Sequence, residues 1–136
     1  MPGTRHKART IALQTLYEVD SVGRGPEAVV ERLLAGADLS GENSDFVRGL
    51  VEGTLRHKDD IDGNIHRFAP AWPVEQIAII DRNILRLAIF EILFDNKVPV
   101  KVAVSEAVVL AKTFGSESSA KFVNGVLGSV SLLSSR

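Results

Sequence analysis

Apolar residues recur every three or four positions along almost the whole chain, and Pro70-Ala71-Trp72-Pro73 is the best internal boundary in that rhythm. Each proline removes a backbone donor and biases the residue before it away from helix. A chain patterned this way is expected to fold as two small helical bundles, 1–69 and 70–136, packed into one compact all-α unit of about seven helices. At 136 residues it buries about two-thirds of its unfolded surface, enough for a core without disulfides.

Within the first half, Ala8, Ala12, Leu13, Leu16 and Val19 fall on one side of a helix over about residues 5–20. Gly23 and Gly25 break it, and Pro26 is placed to start a second helix carrying Ala28, Val29, Leu33 and Leu34. Ser44 serves as N-cap for a third, through Phe46, Val47, Leu50, Val51 and Leu55, which continues through Ile61, Ile65 and Phe68. In the second half, Ile77, Ile80, Ile84, Leu87, Ala88 and Ile92 predict a short helix and then a longer one, closed by Asp95-Asn96. Val98, Val100, Val102 and Val104 alternate as a strand would, but Ala103, Ala107, Leu110, Ala111 and Phe114 extend a helical stripe. Helix is the reading, with Pro99 in its first turn and Gly115 as its stop. Ser116 or Ser118 then caps a last helix through Phe122, Val126, Leu127 and Val130. Asn124-Gly125 inside that helix suggests close packing, and the tail from Ser134 to Arg136 is expected to fray.

Several function classes are excluded by what the chain lacks. Without Cys there is no disulfide framework and no thiolate metal site, so a cytoplasmic location is expected. The most apolar stretch, 77–94, is interrupted by Asp81, Arg82, Arg86 and Glu91, and 1–19 holds no apolar block of secretion-signal length. No membrane association is expected. His6, His57 and His66 lack the i, i+4 partner of a helical zinc site. Asp60 to Ala71 fails as a calcium loop, because Ile65 and Ala71 stand where Gly and Glu are required. With no phosphate cradle and no nucleophile elbow, the chain is expected to carry no cofactor, no metal and no catalysis.

Charge is segregated. Sixteen Lys and Arg oppose 17 Asp and Glu, yet every acid comes after Tyr17, while Arg5, His6, Lys7 and Arg9 crowd the first nine positions. A basic arm of this kind either solubilises a free terminus or touches a polyanion. Helical geometry favours contact: Lys7, Thr10 and Gln14 share one polar face, offering a cation, a hydroxyl and an amide. Arg5 and Arg9 lie in line with the apolar stripe instead, which places Arg9 to pair with a core-edge carboxylate such as Glu91.

Four sequence blocks carry a resemblance. They are Ala8-Arg9 with 12–17 (Ala-Leu-Gln-Thr-Leu-Tyr), then 81–91, then 98–107, and finally 111–115 with 121–127. In that order they resemble the NusB family of bacterial transcription factors. The resemblance implies an all-helical protein that binds the boxA element of nascent RNA, as a single strand, together with NusE, a small-subunit ribosomal protein. It also implies a place in the RNA polymerase antitermination complex, notably on ribosomal RNA operons. The same fold occurs fused to ribosomal RNA cytosine methyltransferases; a chain ending at Arg136 is expected to be the stand-alone form.

By that resemblance the RNA-binding positions are Arg5, His6, Lys7 and Arg9, the Gln14 to Tyr17 region, and Arg86, Phe114, Lys121 and Phe122. His6 and Lys7 stand where more arginines are common, which weakens bidentate phosphate grip while keeping charge. Ser118 replaces a frequent acid. Phe114 and Phe122 beside Lys112 and Lys121 suit base stacking, although Phe at helical spacing is also a core residue. The rival reading is an interaction protein that forms a homodimer through apolar surface around Ile77, Ile80 or Phe90.

Overall fold

The computed structural model describes residues 4–134 as seven α-helices: α1 (Thr4–Val22), α2 (Pro26–Ala35), α3 (Gly41–Arg56), α4 (Lys58–Phe68), α5 (Ile79–Ile89), α6 (Val100–Phe114) and α7 (Ser119–Ser131). A 3₁₀ turn (Val74–Gln76) precedes α5, and a π-helical segment (Phe90–Asp95) prolongs it. No strand occurs among the described residues; of the tail expected to fray, Ser135 and Arg136 lie outside them.

Two helices organise the rest. Helix α1 packs on α2, α3 and α5, and α5 packs on α1, α4, α6 and α7. Leu13, Leu16, Leu50, Ile61, Ile84, Leu85, Ile92, Leu110 and Leu127 belong to one buried cluster that runs across the Pro70 to Pro73 break. Each such side chain contributes about 1.5–3 kcal/mol when fully buried. The prolines end α4, with Ala69 at its C-cap, but the core continues past them.

Local chemistry sets the element ends, and several differ from expectation. Ser40, not Ser44, caps α3: its Oγ accepts the Asn43 N–H at 3.1 Å, while Ser44 already donates to the Ser40 carbonyl inside the helix. Helices α3 and α4 are separate because His57 leaves helical geometry (φ −101°, ψ 14°), and its ring stacks on Phe94 with centroids 4.3 Å apart. Pro99 sits just ahead of α6 with an extended ψ of 144° rather than in its first turn. Neither Ser116 nor Ser118 caps α7 through its side chain; Ser119 Oγ instead accepts the Ser116 N–H at 2.8 Å.

Asn124 and Gly125 are exposed, and a Cβ at Gly125 would meet nothing within 4 Å. The buried stripe of α7 is Val123, Val126, Leu127 and Val130, which leaves 124 and 125 outside. Close approach occurs at Gly53 instead, where a Cβ would stand 2.1 Å from Phe90 Cζ. That contact buries Phe90, and Ile77 is buried too, so only half-buried Ile80 of the three supplies apolar surface.

Candidate nucleic-acid interface

Helix α1 opens with no acidic residue in its first turn, so its four basic side chains begin a helix end that already favours anions. The structure sends them in different directions. Arg9 is buried at 3% exposure and donates from Nε and Nη2 to the two oxygens of Glu91, both at 2.8 Å. Glu91 sits in the π-helical segment and is itself 2% exposed. Burial pulls the Arg9 guanidinium down, but the Glu91 hydrogen bonds and charge, with Glu106 and Asp95, hold it above its ordinary value. The Arg9–Glu91 pair suggested by the sequence is therefore present. It leaves Arg9 no free fork for a phosphate.

Arg5 lies over the Phe46 ring at 4.0 Å and reaches Glu42 at 3.4 Å, both on α3. An exposed cation–π contact of this kind stabilises by about 0.5–1 kcal/mol. His6 Nδ1–H donates to Glu106 Oε2 of α6 at 2.9 Å. Lys7 is exposed and makes no ion pair among the described residues. Thr10 is half-buried with its hydroxyl donating to the His6 carbonyl at 3.1 Å, and Gln14 is exposed. The outward strip is therefore Lys7, Thr10, Gln14 and Tyr17, one turn apart along α1.

That strip runs into an apolar groove of about 820 Å³, lined by Leu13, Gln14, Tyr17, Leu33, Ile80 and Phe114 among others. Tyr17 and Phe114 expose 41% and 40% of their surface there. Two aromatic rings open to solvent beside an amide, with a hydroxyl and a cation further along the same helix face, can stack planar ligands and hold a charged backbone. At the start of α7, Lys121 is exposed, whereas Phe122 is half-buried and packs against the core.

Arg86 is placed far from that role. It is 6% exposed, with Nε and Nη2 on the two oxygens of Asp62 at 2.8 and 2.9 Å and Nη1 on Asp20 at 2.9 Å. Asp20, at the end of α1, also accepts from both arms of Arg82 at 2.8 Å and from Asn83 at 2.9 Å. The Arg82 hydrogen bonds, then Asn83 and the Arg86 charge, hold Asp20 far below the usual carboxylate range despite its partial burial. This network ties α1, α4 and α5 together.

The same sequence signals could have found Glu106. Glu106 falls at i+3 from Ala103 on the buried stripe of α6, and an acid in an apolar stripe needs a partner. Phe46 beneath Arg5 carried no such mark.

Among the described residues the chain is all-helical around one core and turns a basic and amide strip outward beside an aromatic groove, the architecture of a helical binding protein. The sequence pattern of the NusB family matches residues 6–131, and the chain belongs to that family. The transcription antitermination protein NusB of Dehalococcoides mccartyi is 56% identical over 131 residues, covering 96% of this chain and 92% of the relative. That of Chloroflexus aggregans is 47% identical over 128 residues, covering 93% and 85%. Among solved structures, Thermotoga maritima NusB superposes with a TM-score of 0.89 at 28% identity, covering 100% of this chain and 96% of that one. A structure of the antitermination factors NusB and NusE in complex with double-stranded RNA matches with a TM-score of 0.88 at 26% identity, covering 98% and 99%.

Proposed function

We propose that this chain is a non-catalytic transcription antitermination factor that acts in the cytoplasm by binding the boxA element of nascent RNA together with NusE. In that role it helps RNA polymerase resist termination, notably on ribosomal RNA operons. The observation that carries the reading is the strip Lys7, Thr10, Gln14 and Tyr17 leading into the groove at Phe114. The relatives named as antitermination proteins and the NusB–NusE–RNA neighbour support it. Open aromatic rings beside few free cations suit a single strand, whose unstacked bases can lie on Tyr17 and Phe114. Lys121 and Lys112, exposed on α7 and α6, are further cations available to the same RNA, while Arg9 and Arg86 hold the fold.

A chain with so few unpaired cations holds a short strand weakly alone, so the ribosomal protein is expected to raise RNA affinity at least tenfold. Fluorescence titration of a boxA-like strand with and without NusE, over a salt series, tests this. Equal affinity with and without NusE refutes the cooperative reading, and no preference over a scrambled strand refutes the boxA assignment.

A further inference from the structure

We propose that Glu106, an acidic side chain beside the RNA face, is a positioning residue for RNA binding, holding the first turn of α1 through His6 so that Lys7 and Thr10 face outward. The inference rests on the RNA-binding reading above. Helix α1 is fixed from two sides. Arg5 lies on Phe46 and Glu42 of α3. On the other side, Glu106 Oε2 accepts His6 Nδ1–H at 2.9 Å while its Oε1 takes the remaining arm of Arg9 at 3.4 Å. Arg9 is meanwhile locked on Glu91 of the π-helical segment. Successive residues on a helix are about 100° apart, so fixing His6 against α6 sets the direction of Lys7 beside it.

Neither His6 nor Glu106 is free to do otherwise. Both side chains are only about one-fifth exposed, at 22% and 23%. Glu106 lies on the same stripe of α6 as buried Ala103, Ala107 and Leu110. His6 is therefore a tether in the basic arm rather than a phosphate ligand.

The sign of the effect makes the proposal sharp. A carboxylate near a polyanion site repels the ligand, so on charge alone its removal tightens RNA binding. Positioning demands the opposite. Glu106→Ala removes the acceptor that His6 needs, whereas Glu106→Gln removes the charge and keeps an acceptor oxygen.

The full chain and its two variants are compared by titration of a boxA-like strand in the presence of NusE and by limited trypsin cleavage after Lys7. Glu106→Ala is expected to weaken RNA binding about three- to tenfold with an unchanged salt slope, and to speed cleavage after Lys7 by a similar factor. Glu106→Gln is expected to bind RNA at least as tightly as the parent and to be cleaved at the parent rate. His6→Ala should reproduce the Ala loss, and the double variant His6→Ala with Glu106→Ala should lose no more than either alone. Tighter binding by Glu106→Ala, additive losses in the double variant, or an unchanged cleavage rate overturns the proposal. Cleavage reads the clamp without RNA, so a parent chain that binds no boxA strand refutes the function proposed above while the cleavage comparison still decides the clamp.

Discussion

Arg9 is the arm residue whose role the geometry changes most, and its replacement separates holding the fold from holding RNA. Arg9→Met keeps much of the side-chain volume but strands Glu91, a carboxylate at 2% exposure, without its bidentate cation. Removing one partner of a buried pair costs about 3–5 kcal/mol, because the other charge stays buried. Unfolding entropy of about 2.1 cal/mol/K per residue over 136 residues gives roughly 0.3 kcal/mol per degree, so Tm should fall by roughly 10–17 °C. Replacing both partners, Arg9→Met with Glu91→Met, should recover most of that loss, since a buried pair exchanged for apolar side chains is often neutral. Calorimetry of the single and double variants measures the stability terms. RNA titration of the folded double variant then reads the salt slope, which falls by about 0.7 for each single-strand phosphate that the protein no longer neutralises. A stable Arg9→Met, or a folded double variant whose slope drops by that amount, would show that Arg9 serves RNA directly and refute the reasoning.

Three further outcomes follow from single contacts. Gly49→Ala and Gly53→Ala lie one turn apart on α3 but should differ in sign: Gly49 has open space and gains about 0.8–1 kcal/mol of helix propensity, whereas Gly53 drives a methyl into the Phe90 ring and loses about 1–3 kcal/mol. Urea denaturation of both, with Phe90→Leu tested for rescue of the second, decides it; a stabilised Gly53→Ala would contradict the contact. Phe114→Ala should cost roughly 1–3 kcal/mol of RNA affinity with little change in Tm, while Phe122→Ala should lower Tm, and a reversed pattern would exchange their roles. Asp20 is held below the free carboxylate value of about 3.9, so its contribution is fully present above that pH and is lost as pH falls further. Acid unfolding should therefore flatten in Asp20→Asn, and an unchanged acid limb would dismiss the network as a source of acid sensitivity.

What the sequence could reveal was whatever repeats. The stripes Ala8–Ala12–Leu16 and Ala103–Ala107–Leu110 are periodic, and each is buried where the 3.6-residue spacing puts it. Pro26 and Gly115 are punctuation with a fixed backbone meaning, and both stand at helix ends. Caps were less legible, because Ser40 and Ser44 differ only in whether the backbone between them is already helical. Least legible were contacts between distant segments. Arg9 could be matched to Glu91 because both interrupt apolar stripes, but nothing local tells Arg5 that Phe46 lies 41 positions on, or Arg86 that Asp20 and Asp62 will converge on it. The site resisted reading for the same reason: Arg5, His6, Lys7 and Arg9 look alike as charge, and only the neighbouring helices distinguish the three that face protein from the one that faces solvent.

That distinction extends through the molecule. Every arginine from Arg5 to Arg86 is engaged: eight pair with carboxylates, and Arg67 lies over Phe68 at 5.0 Å. Among the described residues, Lys7, Lys58, Lys101, Lys112 and Lys121 make no ion pair, and Lys97 alone approaches an acid, Asp95, at 3.7 Å. The planar guanidinium fork suits fixed bidentate pairs between helices, whereas the ammonium is a strongly hydrated point charge on a flexible stem. Arginine thus builds this fold, while most of the lysines stay out of its ion pairs. A phosphate held by lysines is held without a defined orientation, so under the proposed function charge alone would not set the register of a strand. On the proposed RNA face, register would come from groups with direction: the Gln14 amide, the Thr10 hydroxyl as an acceptor and the rings of Tyr17 and Phe114, all carried by helices whose placement the buried arginines fix.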